Sequence, residues 1–153
     1  MNEIYNLVMD DLNILSELSE KLVNKMPHPG LVEDGLYLQH VAIQIFIISQ
    51  LEYFLKKKGV IQSQREIKDV IKNSSLEQIE KDHLLFLFNV RHTLVHNGGY
   101  ADSTFLYGVS ELKELKLKGF KEGSLTTIDS TLSTMYIELV KKLINELQTK
   151  KSN

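Results

Sequence analysis

The residues best suited to chemistry in this chain stand close together near the end of an apolar, helix-forming segment. Arg91 and His96 are separated by four residues in the run Arg91–Gly99, which reads RHTLVHNGG. An arginine guanidinium is planar and permanently charged, and its geometry suits it to binding phosphate. An imidazole titrates near neutral pH and can act as a general acid or base. The pair can therefore hold a phosphate group and move a proton beside it.

The arginine needs a physical reason to stand in an apolar segment. Arg65 and Arg91 are the only arginines among 18 lysines and arginines. A buried guanidinium without a partner costs several kcal/mol, so Arg91 needs a carboxylate, carbonyls, water or a bound anion beside it. An internal ion pair with a helix carboxylate is therefore one interpretation. For His96 the corresponding interpretation is a ring that interacts with the last carbonyls of its helix.

Helical geometry sets a condition on a shared site. Because His96 lies five positions after Arg91, the two residues are about 140° apart around the helix axis and about 7.5 Å apart along it. Only a long side chain that reaches around the helix, or a partner helix or second subunit, brings both groups onto one ligand. His92 and His96 share a polar strip beside the apolar stripe that contains Arg91.

The segment Arg91–His96, followed by Asn97, Gly98 and Gly99, resembles the R-x4-H signature of the HEPN superfamily of small helical domains. The residue after the arginine is polar in that family, and His92 meets this condition. The motif also closes a long apolar helix that is followed by one more long helix. The specific match covers about nine residues, while the expected helix order is consistent across the whole chain.

The resemblance implies metal-independent cleavage of single-stranded RNA in a cleft where two motif helices meet in a homodimer. Arg91 would bind the scissile phosphate and stabilise the transition-state charge. His96 would act as general acid or base on the ribose 2′-hydroxyl or on the leaving 5′-oxygen, with a 2′,3′-cyclic phosphate and a 5′-hydroxyl as products. His92 and Asn97 would position the substrate.

The resemblance also implies a biological setting and leaves an alternative open. Such domains occur in toxin and antiviral systems, so a nucleotidyltransferase-type antitoxin is a candidate partner. Some members have lost activity, and the alternative function is a catalytically inactive helical module for dimerisation or interaction that binds a protein or a nucleotide. RNA cleavage by the purified protein separates the two interpretations.

A metal site is the competing interpretation of the histidines. His92 and His96 stand at i and i+4, as in zinc enzymes, but Thr93 occupies the position where the zincin pattern needs glutamate. The chain contains no cysteine that could serve as a further ligand. We therefore expect no metal and no cofactor.

Composition limits the remaining possibilities. The 153 residues correspond to one domain, 1–153, with 42% hydrophobic and 25% charged residues and a net charge of −2. This charge argues against tight sequence-independent binding to a nucleic-acid duplex but permits a small phosphate site. The chain has no cysteine, no signal-peptide pattern and no apolar run long enough to span a bilayer, so we expect a cytoplasmic protein without membrane insertion.

The spacing of apolar residues predicts an all-α, HEPN-like bundle of four long helices and one short helix. The short helix is expected near residues 64–72. The long helices are expected from Ile4 to about Lys25, from about Glu33 to Lys58 before Gly59, from about residue 75 to the Gly98–Gly99 stop, and from a cap at Asp129 or Ser130 onward. Pro27–Gly30 separates the first two helices.

Two further expectations concern local structure. Ser63 with Glu66, and Ser74 with Glu77, have the spacing of capping boxes at helix starts. Residues 100–128 lose the helical period, and the pieces 105–107, 115–117 and 124–128 indicate a loop or small β-hairpin insertion.

The motif helix is apolar nearly all round from Leu84 to Val90, which predicts burial on several sides, either centrally or against a second subunit.

Overall fold

The structure is a computed structural model, and it describes residues 3–23, 34–117, 119–126 and 132–150. The six α-helices among these residues are α1 (Glu3–Val23), α2 (Asp34–Lys57), α3 (Ile67–Lys72), α4 (Gln78–His96), α5 (Ser103–Ser110) and α6 (Ser133–Lys150). A 3-10 turn, Gln64–Glu66, leads into α3. The described residues contain no strand, so the expected all-α fold is confirmed.

Helix α4 lies at the centre of the bundle, because it packs against α2, α3, α5 and α6. Helix α1 packs against α2 and α6, and α2 also contacts α6. Every residue from Leu84 to Val90 is buried within the single chain. Burial of each large apolar side chain in this stretch contributes roughly 1.5–3 kcal/mol relative to exposure. The central position alone explains why this helix is apolar nearly all round.

Of the two predicted capping boxes, the structure contains only the first. The Ser63 backbone N–H and hydroxyl both donate to the Glu66 carboxylate, at 3.0 and 2.8 Å. Helix α4 begins instead with Glu77, whose backbone N–H donates to the Glu80 carboxylate at 3.0 Å. The expectation for Ser74 is wrong because its hydroxyl donates to a backbone carbonyl in the last turn of α3 and thus belongs to a helix end.

Glycines end two helices at the expected positions. Gly59 follows α2 with a φ of 65°, while Gly98 and Gly99 follow α4 with φ of 61° and 89°. Other residues adopt this left-handed region only with strain. The carbonyl of Thr93 accepts hydrogen bonds from the backbone N–H groups of both Asn97 and Gly99, at 2.8 and 2.9 Å. The chain therefore turns sharply immediately after the motif.

Part of the predicted hairpin region is helical, which corrects the expectation for the segment 105–107. Helix α5 covers it, and Asp102 caps the helix by accepting the backbone N–H of Phe105 at 2.8 Å. The Phe105 ring is buried against Phe86 and Phe120. A side-chain cap and this aromatic packing outweigh the preference of aromatic residues for strands.

The rest of the insertion returns to the end of α4. Tyr100 and Leu125 form an isolated antiparallel bridge, and the Thr126 backbone N–H donates to the Gly99 carbonyl at 2.8 Å. Residues 115–117 have no regular secondary structure. Among the described residues, the segments around Tyr100 and Leu125 therefore form a single β-bridge. This pairing is shorter than the β-hairpin that the sequence allowed.

Some predicted features lie outside the described residues. They are the break at Pro27–Gly30, the caps Asp129 and Ser130, and the end of the first helix near Lys25. Among the helices that are described, none combines the length and the apolar character needed to cross a bilayer.

Candidate active site

The last turn of α4 carries two imidazoles on one face. His92 and His96 are one helical turn apart, and their ring centroids are separated by 4.6 Å with an angle of 46° between the planes. His92 is partly buried and His96 is exposed. The i and i+4 spacing places both rings over the same side of the helix. The polar strip predicted for these two histidines is therefore present.

Both imidazoles line a cleft of about 470 Å³. The 3-10 turn and α3 contribute Gln64, Arg65 and Lys68 to its lining, while α4 contributes the two histidines and α5 contributes Thr104. Phe88, Asn89 and Phe105 also line it and are buried residues of α4 and α5. The cleft thus combines two buried aromatic rings and a buried amide with two basic side chains and two imidazoles.

Burial and neighbouring positive charges act on His92. Burial lowers the pKa of His92, and His96, Lys68 and Arg91 lower it further, while Asp102 acts in the opposite direction. The net effect places the pKa of His92 below its ordinary value. This ring is consequently mostly neutral at pH 7 and can accept a proton.

The structure places the Arg91 guanidinium beside a carboxylate of α2. Arg91 Nη2 lies 3.6 Å from Oε2 of Glu52, and each of the two side chains is 15% exposed. The Nε of Arg91 is buried and has no hydrogen-bond partner among the described residues. The distance to Glu52 exceeds that of a good hydrogen bond. The two side chains therefore form an ion pair without a good hydrogen bond. This is one of the two interpretations of Arg91 that the sequence left open.

Glu52 is the centre of a small polar cluster next to the cleft. Its carboxylate also accepts a hydrogen bond from Lys56 Nζ at 2.6 Å and one from Gln64 Nε2 at 3.1 Å. Gln64 both contacts this cluster and lines the cleft, so it lies between the guanidinium and the imidazoles. Arg91 and His96 are near each other along α4, but among the described residues that line this cleft His96 is present and Arg91 is not.

Asn97 connects the end of α4 to the start of α5. Its side-chain amide donates to Oδ2 of Asp102 at 2.5 Å, while Oδ1 of the same carboxylate caps α5. Hydrogen bonds from the backbone N–H of Phe105 and from Asn97 keep the pKa of Asp102 below its ordinary value, although burial opposes this. The Asn97 side chain therefore has a structural partner in addition to its predicted role in substrate positioning.

Sequence reasoning missed four contributors to this region. They are Glu52, Gln64, Arg65 and Lys68. A signal existed for Glu52, since it is the only charged residue in the apolar stretch from Val41 to Leu55 and therefore stands out as a partner for Arg91. No comparable pattern marks the cleft residues of α3, because their proximity to the motif depends on the packing of α3 against α4.

The described residues do not bring three histidine, aspartate or glutamate side chains together as metal ligands. Comparisons with protein families, curated proteins and solved structures find no match to this chain.

Proposed function

We propose that this protein is a metal-independent endoribonuclease that cleaves single-stranded RNA. The observation that carries the proposal is the pair of imidazoles at 4.6 Å in a cleft that also contains Arg65 and Lys68. Phosphodiester cleavage needs a proton acceptor, a proton donor and positive charge beside the phosphate. This cleft brings such groups together, and Arg91 directly precedes His92 on the same helix.

The proposed reaction is an internal attack by the ribose. A histidine removes the proton of the 2′-hydroxyl, and the 2′-oxygen forms a bond to phosphorus. The bond from phosphorus to the 5′-oxygen breaks, and a protonated histidine gives that oxygen a proton. His96 is the principal acid and base: it takes the proton of the 2′-hydroxyl and then, protonated, gives a proton to the 5′-oxygen, while the mostly neutral His92 positions the substrate beside it. The products are a 2′,3′-cyclic phosphate and a 5′-hydroxyl.

Arg91 stabilises the additional negative charge of the transition state in this proposal. The distance from Arg91 Nη2 to Glu52 is 3.6 Å, and Arg91 Nε has no hydrogen-bond partner among the described residues, so the guanidinium retains donors for a phosphate oxygen. Glu52 then limits the orientations that the guanidinium can adopt. The contact is compatible with catalysis if the phosphate approaches the guanidinium from the side of Gln64, which adjoins both the cluster and the cleft.

A homodimer completes the proposed site. Val95, Tyr100 and Leu125 are large side chains close to the motif, and they are 46%, 56% and 46% exposed. Apolar surface of this kind favours association with another protein surface. A second copy bound here would bring its own Arg91 toward the cleft of the first, which a single chain does not achieve. A cytoplasmic toxin or defence protein, with a nucleotidyltransferase-type antitoxin as partner, belongs to the same proposal.

The Arg91–Glu52 ion pair favours a second candidate function. A guanidinium that stays on an internal carboxylate stabilises the packing of α4 against α2 and has no catalytic role. The protein would then be a catalytically inactive helical module that dimerises or binds a protein or a nucleotide. In that case the Arg91 guanidinium binds Glu52 and not a phosphate.

RNA cleavage in the presence of a chelator tests the proposal. We expect the purified protein to cleave single-stranded RNA in EDTA, and Arg91→Ala and His96→Ala each to abolish cleavage while the circular dichroism spectrum stays helical. Lys21→Gln is the control, because Lys21 is exposed on α1, which packs against α2 and α6. Intact RNA with the folded wild-type protein supports the inactive module, whereas full activity in either motif variant contradicts the role proposed for that residue.

A further inference from the structure

We propose that Arg65 and Lys68 bind a phosphate of the RNA strand next to the phosphate on which the histidines act. The inference rests on the ribonuclease proposal and adds the surface that holds the substrate. It concerns the wall of the cleft formed by the 3-10 turn and α3, which lies outside the R-x4-H motif. The ligand class is the phosphodiester backbone of a single-stranded nucleic acid.

The charges on this wall are available to a ligand. Arg65 and Lys68 are three residues apart and both line the same cleft as His92 and His96. Neither of the two cations forms a salt bridge with a described residue, whereas Lys56, Lys141 and Lys142 each pair with a carboxylate. Cations at a concave surface that lack such a partner attract anions more strongly than paired cations do.

Lys68 occupies an environment that favours an incoming anion. Its Nζ lies 5.3 Å from the centroid of the Phe88 ring, which lines the same cleft. Burial lowers the pKa of Lys68, while the charge of Glu111 acts in the opposite direction. A partly desolvated ammonium recovers stabilisation when a phosphate oxygen binds to it. Phosphate binding is therefore a favourable way to satisfy this charge.

The size of the cleft indicates a nucleotide unit as its occupant. A volume of about 470 Å³ falls within the range of roughly 300–1,000 Å³ typical of small-molecule sites. The space exceeds that needed for one phosphate ion and leaves room for an attached ribose. Because the whole chain carries a net charge of −2, the attraction is local, and the strand binds at this cleft in preference to the general surface.

Binding of an uncleavable oligonucleotide tests the inference without requiring catalysis. The probe is a short, fluorescent, 2′-O-methyl oligouridine, in which the methyl group blocks the attacking oxygen. Fluorescence anisotropy gives its affinity for the wild-type protein and for Arg65→Gln and Lys68→Gln. We expect each substitution to weaken binding roughly three- to tenfold, because each removes one charge-assisted contact.

The salt dependence separates a phosphate contact from a structural role. Loss of the phosphate contact in the double variant Arg65→Gln, Lys68→Gln should reduce the slope of log affinity against log salt by about 0.7, the increment expected per phosphate of a single strand. Lys21→Gln removes a positive charge from α1 and should retain the wild-type affinity and slope. Unchanged affinity and slope in both cleft variants, or equal losses in the Lys21 variant, would overturn the inference. Equal melting temperatures exclude a loss of folded protein as the cause.

Two further results distinguish this inference from the ribonuclease proposal. If the wild-type protein cleaves unmodified RNA while both cleft variants bind like wild type, the cleft assignment fails and the nuclease proposal survives. If no RNA is cleaved while binding depends on Lys68, the nuclease proposal fails and the cleft still holds a strand. Displacement of the probe by an equal concentration of free uridine 3′-monophosphate would assign the cleft to a mononucleotide and overturn the strand assignment.

Discussion

At the scale of single residues, His92 differs from an ordinary exposed histidine because several groups act on its ring. Burial and the neighbouring His96 lower its pKa. Replacing His96 by Asn removes one of these influences, so the pKa of His92 should rise in His96→Asn. An NMR titration of the imidazole protons measures the change. The wild-type pKa of His92 should lie below the ordinary value of about 6.5.

Two comparisons make this prediction specific. Asp102 acts to raise the pKa of His92, so Asp102→Asn should lower it, and Asn remains a good N-cap for α5. The pKa of His83, which burial lowers and whose ring contacts Tyr136, should not change in either variant. A His92 pKa at or above its ordinary value, or one unaffected by both substitutions, contradicts this account of the cleft.

At the scale of elements, Asp82 attaches the segment after α5 to the central helix. Its buried carboxylate accepts the backbone N–H of Leu115 at 3.0 Å, that of Glu114, and the Gln78 amide at 2.8 Å. Asp82→Ala leaves three partly buried donors without this acceptor and should lower the free energy of unfolding by roughly 2–3 kcal/mol. Urea denaturation measures this change, with Asp10→Ala, at an exposed position of α1, as the control.

The same carboxylate predicts a dependence of stability on pH. Burial raises the pKa of Asp82, but the hydrogen bonds from Glu114, Leu115 and Gln78 outweigh it, and the net pKa lies below the ordinary value. Because the pKa is lower in the folded state, the ionised Asp82 carboxylate stabilises the fold at pH values above the ordinary pKa of about 3.9. This stabilisation is lost as the pH falls through the folded-state pKa. The stability difference between wild type and Asp82→Ala should therefore shrink below about pH 4. A difference that stays constant would contradict this interpretation.

The crossing of α4 and α5 depends on a glycine. A Cβ at Gly108 would lie 2.5 Å from the Asn89 side chain, a distance that requires a neighbour to move. Gly108→Ala should therefore destabilise the protein, although alanine is more favourable than glycine in a helix by about 1 kcal/mol. In an Asn89→Ala background the obstacle is absent, so the same change should stabilise. Thermal unfolding of the four proteins measures both signs, and destabilisation in both backgrounds contradicts the packing argument.

The elements were predictable from the sequence where one local signal decided them. Gly59 ends α2 as expected, and the apolar positions from Leu84 to Val90 identify the buried helix. Helix α5 was not predicted, because its cap at Asp102 and the burial of Phe105 compete with a sequence that has strand-like character. The motif residues were found by their spacing, whereas Lys68 enters the cleft only through the packing of α3 on α4.

At the scale of the whole molecule, a composite site predicts complementation between subunits. In a two-fold dimer, Arg91→Ala and His96→Ala each remove one half of every site. Mixing the two inactive proteins, with exchange of subunits, forms dimers that contain one intact site. About a quarter of the wild-type activity should return in an equal mixture. Activity that stays absent after verified subunit exchange would place both residues in a site within one chain.

The central claim is that the histidines and Arg91 cleave RNA through the ribose 2′-oxygen. Mass spectrometry of the ends produced from a defined single-stranded RNA in EDTA tests this claim most directly. The account predicts fragments that end in a 2′,3′-cyclic phosphate and begin with a 5′-hydroxyl, formed by the wild-type protein and missing with His96→Ala. Intact RNA, or fragments with 3′-hydroxyl and 5′-phosphate ends, would contradict it.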